Sequence, residues 1–229
     1  MNPVYVALDT TDPDYARQLA ERVRGSVGGL KLGLEFFNAH GPDGIRPFLD
    51  AGLPVFLDLK YHDIPNTVAG ACRAASQLGV SILNVHAQGG MAMMKAANDA
   101  VKSVSPSTKL IAVTMLTSIG DEDLPSVGLT PRVGDQVLRL ASLTQQSGLD
   151  GVVCSAHEIA RLRKELGPDF MLVVPGIRPA GSDVGDQKRV MGPAQARDAG
   201  ASVLVIGRPI TAAPDPAEAA RAIAESLGI

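Results

Sequence analysis

The segment "FLDLKYHDIPNT", Phe56–Thr67, decides how the chain is read. It begins like a buried β-strand, yet its first eight residues include Asp58, Lys60 and Asp63. A charge taken out of water survives only when it is paired. Either this is not a core strand, or its charges stand where the strand leaves the core.

Seven further short apolar runs bear on the choice: 4–9, 29–33, 80–86, 109–116, 150–155, 170–176 and 202–207, beside 54–60 itself. They are rich in Val, Ile and Leu and alternate little, as strands covered on both faces do. Helical patterns separate them, over 12–25, 64–79, 89–103, 132–148, 156–167 and 215–228. Several open on Asp or Pro and close on Gly, which are helix start and stop signals. The pattern over 35–52 is interrupted by "GPDG", and 192–200 is short. Eight strand–helix units in 229 residues predict a single-domain (β/α)8 TIM barrel over residues 1–229. A doubly wound open sheet is the alternative, and the absence of GxGxxG after the first strand weakens its dinucleotide-binding version.

Composition narrows the function. The chain is 45% hydrophobic, and 24 acidic against 21 basic residues leave a net charge of −3. That balance does not point to nucleic acid or an anionic membrane. Aromatic residues make up only 3% and Trp is absent, which argues against a base-stacking surface. Cys72 and Cys154 form no CxxC pair and suit a reducing compartment. The first apolar run is too short for a signal peptide and no run reaches membrane-spanning length, so a cytoplasmic protein starting at Met1 is expected.

In a (β/α)8 barrel the active site forms at the C-terminal ends of the strands. Polar residues gather there: Asp9, Lys31, Asp58 with Lys60, Asn84 with His86, Thr114 with Thr117, Arg178 with Gln187, and Gly207 with Arg208. Packing alone predicts no such bias. Asp58 and Lys60, two apart on a strand, share a face about 6–7 Å apart. Lys31 projects from the neighbouring strand, and Asp63 lies just past the strand end. Such a set is either an ion-pair network at the barrel mouth or a functional array; four such residues together favour function. "VIGRP" (205–209) sets Gly207 and Arg208 after strand eight, where this fold binds phosphate. Arg178 and Gln187, on the long loop 177–191, are placed to close over the same anion. That loop and 117–131 read equally as binding loops or as variable surface. His40, His62, His86 and His157 have no zinc-site spacing; His40 and His157 are expected at the surface, and His86 as a satisfied structural histidine or a partner to the charged set. Ser155 lacks the GxSxG turn of a nucleophile elbow.

"DLKYHDIPNT" (58–67) closely resembles the signature of the orotidine 5′-monophosphate decarboxylase family. "VALD" (6–9), "LKLG" (30–33), "MLTS" (115–118), "PGIRP" (175–179), "DQKR" (186–189) and "VIGRPI" (205–210) resemble its other blocks, in order. The resemblance implies a (β/α)8 barrel that removes CO2 from orotidine monophosphate to give UMP, the last step of de novo pyrimidine synthesis, with no cofactor and no metal. It further implies that Asp9 holds a ribose hydroxyl, that Lys31, Asp58, Lys60 and Asp63 form a charged array, and that Lys60 is the proton donor. Asp63, Ile64 and Thr67 belong to the substrate site, and Asp63 and Thr67 reach the partner's site in a homodimer. Thr117 contacts the pyrimidine, Gln187, Gly207 and Arg208 bind phosphate, and Arg178 supports the loop. Two rivals stand beside this. Mg2+-dependent sugar-phosphate decarboxylases and aldolases of similar fold share Asp-x-Lys-x-x-Asp but carry an acid where this chain has Lys31. A non-catalytic phosphate-binding barrel would need no charged array.

Overall fold

Eight parallel strands close on one another in chain order in the computed structural model, which describes residues 2–130, 132–179 and 191–229. They are β1 (Val4–Ala7), β2 (Gly29–Gly33), β3 (Val55–Tyr61), β4 (Ile82–His86), β5 (Lys109–Val113), β6 (Gly151–Val153), β7 (Met171–Val174) and β8 (Val203–Ile206). Pairing of β1 with β8 completes the ring, so the chain is a (β/α)8 barrel rather than an open sheet. Each strand is two or three residues shorter than its apolar run or matches it, except β3, which gains Tyr61 and loses Pro54.

The lack of alternation has a simple cause: both faces of each strand are covered, by different partners. Val6, Leu30, Leu32, Leu57, Leu83, Leu110, Leu172 and Leu204 face outward and pack under the helices. Tyr5, Ala7, Phe56, Ile82, Ile111, Val173, Val203 and Val205 fill the barrel interior. On β2, β3 and β4 inward positions turn polar toward the C-terminal ends, at Lys31, Asp58 and Asn84, where the interior opens to a cavity, whereas the last inward residues of β5 to β8 stay apolar.

The helices are α1 (Pro13–Val23), α2 (Leu34–Asp50), α3 (Pro65–Ser76), α4 (Gly90–Val104), α5 (Val133–Gln146), α6 (Ile159–Leu166), α7 (Pro193–Asp198), α8 (Arg208–Thr211) and α9 (Pro216–Ser226). Asp12 and Asp215 cap α1 and α9 by accepting backbone N–H groups of the first turn. The "GPDG" interruption is a real break in the helix: Gly41 takes φ +59 and ψ −160, a non-helical conformation that glycine adopts without steric cost, and two helical segments of α2 meet there across a kink. The 156–167 pattern resolves into a 3-10 turn, Ala156–Glu158, followed by α6. Among the described residues no helix is long and apolar enough to cross a membrane.

Candidate active site

At the C-terminal mouth lies a cavity of about 550 Å³. Its lining includes Asp9, Lys31, Asp58, Lys60, Thr117, Arg178, Gly207 and Arg208, over a floor that includes Ala7, Phe56, Val113, Val153, Val173 and Val205. Residues spread over two hundred positions of sequence thus meet because strand order sets them side by side.

The charges form a chain. Lys31 Nζ donates to Asp9 Oδ1 at 2.8 Å and stands 3.7 Å from Asp58 Oδ2. Lys60 Nζ donates to Asp58 Oδ1 at 2.6 Å. Register explains the juxtaposition: Ala7 pairs with Lys31, and Gly33 with Asp58. Gly33 also leaves room for the array, since a Cβ there would lie 3.1 Å from Lys31 Nζ. Burial is the largest influence on Asp58 and works against its anion. The charges of Lys60 and Lys31, with hydrogen bonds from Lys60 and Asn84, outweigh it and hold the carboxyl below its ordinary range.

Lys60 does not sit on a regular strand. Between Leu57↔Leu83 and Tyr61↔Val85, β3 advances four residues while β4 advances two. This bulge turns the backbone, and Lys60 takes φ +53, the only positive φ at a non-glycine among the described residues. Left-handed backbone costs a non-glycine residue about 1–2 kcal/mol. Such conformations persist only where the surroundings over-determine them, and they cluster at functional sites. Asn84, fully buried on β4, lies opposite the bulge. Its Oδ1 accepts the Lys60 N–H at 2.8 Å and its Nδ2 donates to Asp58 Oδ1 at 2.7 Å. The sequence places Asn84 at a strand end, but a neutral amide gives no sign there of what it holds.

Not every expected residue lines the cavity. Asp63, Ile64 and Thr67 are exposed at the start of α3 and are not in the cavity lining; Asp63 Oδ1 instead accepts the N–H of Ile64 at 2.6 Å. Gln187 lies outside the described residues. Arg178 is anchored through its backbone, its N–H donating to Met191 O at 2.9 Å beside the Ile177↔Met191 bridge. Thr114 is structural, its hydroxyl donating to Val153 O at 2.8 Å. Ser155 caps the 3-10 turn, with Glu158 returning a bond to its backbone N–H. His157 is exposed as expected, but His40 is half-buried, with its Nε2 2.7 Å from Thr11 O and its ring against Phe36. His86 stacks obliquely on His62, the ring centroids 5.6 Å apart; burial, then His62 and Lys60, push its pKa down. Among the described residues no three His, Cys, Asp or Glu side chains are grouped to hold a metal ion.

Comparison with known proteins places this geometry in context. The model of the "Orotidine 5'-phosphate decarboxylase / HUMPS family" matches residues 2–223. Orotidine 5'-phosphate decarboxylase of Rhodospirillum rubrum is 57% identical, the match covering 99% of this chain and 94% of that protein. The enzyme of the same name from Paramagnetospirillum magneticum is 54% identical over the whole of both chains. Among solved structures, orotidine 5'-phosphate decarboxylase from Lactobacillus acidophilus superposes with a TM-score of 0.89 at 38% identity, covering 100% of both chains.

Proposed function

Because the chain belongs to the orotidine 5'-phosphate decarboxylase family, carboxy-lyases of UMP biosynthesis, we propose that the mouth array carries the reaction and that its residues divide the work as follows. Cleavage of the bond between C6 and its carboxylate leaves the electron pair on C6 and releases CO2. That carbanion has no electron sink in the ring. Lys60 supplies an ammonium placed beforehand, which stabilises the developing charge and then gives C6 its proton to form UMP. Asp58, 2.6 Å from that ammonium, fixes it and lies beside the departing carboxylate. Lys31 bridges Asp58 and Asp9, and Asp9 holds a ribose hydroxyl. Thr117 contacts the pyrimidine. Gly207, Arg208 and Gln187 take the phosphate, and Arg178 supports the loop that bears Gln187. Phosphate binding, remote from C6, serves the reaction by organising the site. No cofactor or metal enters this scheme, and the expected setting is the cytoplasm.

The observation that carries the reading is the Lys60–Asp58 contact at the edge of a cavity that also holds Lys31 and Arg208. Its test is conversion of orotidine monophosphate to UMP by EDTA-treated protein, followed as a loss of absorbance. No conversion would refute it, and activity only with added Mg2+ would favour the sugar-phosphate chemistry of related barrels. Lys31, a cation within the array, disfavours that alternative.

Asp63 and Thr67 act, in this reading, on a partner subunit's site within a homodimer. Their exposure outside the cavity lining of their own chain supports this, and Ile64 leaves 68% of its surface accessible. Mixing inactive Lys60→Ala and Asp63→Ala subunits should restore activity, since one site of each hybrid dimer keeps both residues. Subunit exchange without recovery would refute the shared site.

A further inference from the structure

Among the described residues, Asn84 is the one fully buried polar side chain that touches two members of the charged array at once. Its orientation is unambiguous: a flipped amide would face the Lys60 N–H with a donor and Asp58 with an acceptor, losing both bonds. It also fills the place where β4 has one residue for the three of β3 between Leu57 and Tyr61, so the Lys60 N–H, displaced by the bulge, finds its acceptor in a side chain. We infer that Asn84 is a positioning residue for decarboxylation: through one amide it holds the left-handed turn that aims Lys60 and the carboxylate that grips its ammonium. This rests on the reading of Lys60 as proton donor.

Two bonds, made by the two ends of one rigid planar group, tie the Lys60 backbone to the Asp58 carboxylate. The distance between ammonium and carboxylate is thereby set before substrate arrives. Loss of the amide frees both, and a displacement of about 1 Å at reacting atoms costs on the order of 100-fold in rate.

Substitution by aspartate separates positioning from packing. An aspartic acid carbonyl still accepts the Lys60 N–H, and its hydroxyl, in the place of Nδ2 2.7 Å from Asp58 Oδ1, still donates while protonated. Two carboxyls at that distance share a proton at low pH and repel once both ionise. Charged and titratable neighbours are Lys31 on β2, Asp58 and Lys60 on β3, His62 beyond it, and His86 on β4; the β5 residue paired with Asn84 is the apolar Ile111. All of these occur in the wild-type enzyme, whose profile is therefore the control.

The experiment measures kcat against pH and the Kd of UMP for wild type, Asn84→Ala and Asn84→Asp. Asn84→Ala should lose about 100-fold in kcat while binding UMP within about threefold of wild type. Asn84→Asp should be most active at the acid end and fall as pH rises, on a limb the wild type lacks. Should Asn84→Ala fail to fold, the near-isosteric Asn84→Asp carries the test alone. Wild-type kcat in Asn84→Ala, parallel losses of kcat and UMP affinity, or a profile of Asn84→Asp parallel to wild type would each overturn the inference. Lys60→Ala separates the two claims. Inactive Lys60→Ala beside fully active Asn84 variants refutes only the role of Asn84, whereas active Lys60→Ala refutes the proton-donor reading itself.

Discussion

Each end of the barrel carries an aspartate between two lysines. At the mouth Asp58 meets Lys60 and Lys31. At the base Asp150 meets Lys102 and Lys109, both at 3.0 Å. A hollow adjoins each, of about 550 Å³ at the mouth and, beside Asp150 and Lys109, of about 420 Å³ at the base. What differs is the use of the backbone. Asp150 accepts the Leu110 N–H at 2.8 Å, and Lys102 also donates to Thr108 O at 2.9 Å, so this triad ties chain segments together. Asp58 is held by three side chains, and one of them, Asn84, also accepts the N–H of Lys60, a residue in a costly conformation. Identical charges therefore fasten the fold at one end and, at the other, are themselves held in place by it.

The largest effect that could break this contrast is at Lys60. Lys60→Ala should lower kcat by at least about 10⁴-fold, combining lost proton transfer with lost charge stabilisation. Its thermal midpoint should stay within a few degrees of wild type, about what 1 kcal/mol would move in a domain of this size. A steady-state assay with a parallel melt checks both; an unfolded variant would make the mouth triad a fastener as well.

Asp150→Ala should do the reverse. Hydrogen bonds to a charged, partly buried group contribute about 1.5–3 kcal/mol, and removing the carboxylate strands the Leu110 N–H. We expect about 2 kcal/mol lost in urea unfolding with kcat within about twofold of wild type. A large fall in kcat at unchanged stability would erase the distinction between the ends.

The smallest effect concerns acid. Burial works first against the Asp150 anion, but the Leu110 N–H and the two lysines outweigh it, so its carboxyl titrates below the ordinary range, as that of Asp58 does. The unfolded carboxyls, near about 3.9, then bind protons before the folded ones. Stability contributed by both groups is complete above that value and is lost as pH falls from it through the folded pKa. Asp150→Asn should show a shallower loss of stability below pH of about 4 than wild type, in unfolding measured across pH.

The barrel was legible because burial on both faces leaves a run of Val, Ile and Leu whatever the neighbours, and because Asp12 and Asp215 announce their helices locally. The mouth charges were legible because Asp58 and Lys60 break such a run. Reading failed where a residue's meaning lies in three dimensions. Nothing local in "ILNVH" says that Asn84 faces a bulge two residues long, nor in "DLKYHD" that Lys60 turns left-handed while Asp63 leaves the cavity. By contrast, "GPDG" announces locally what the structure has there, a non-helical Gly41 that separates the two helical segments of α2.

The β3 bulge bears on attempts to graft this chemistry onto an idealised scaffold. Designable barrels use unstrained strands of uniform register. Two lysines and two aspartates copied onto such a frame would keep the charges of Asp9, Lys31, Asp58 and Lys60 but not the turn at Lys60. A successful transplant would have to carry the irregularity and its amide prop along with the charges, since the pre-set geometry of a functional site lives in its supports. The four side chains would have to travel with a pair of neighbouring strands, 55–61 and 82–86, that holds the irregularity.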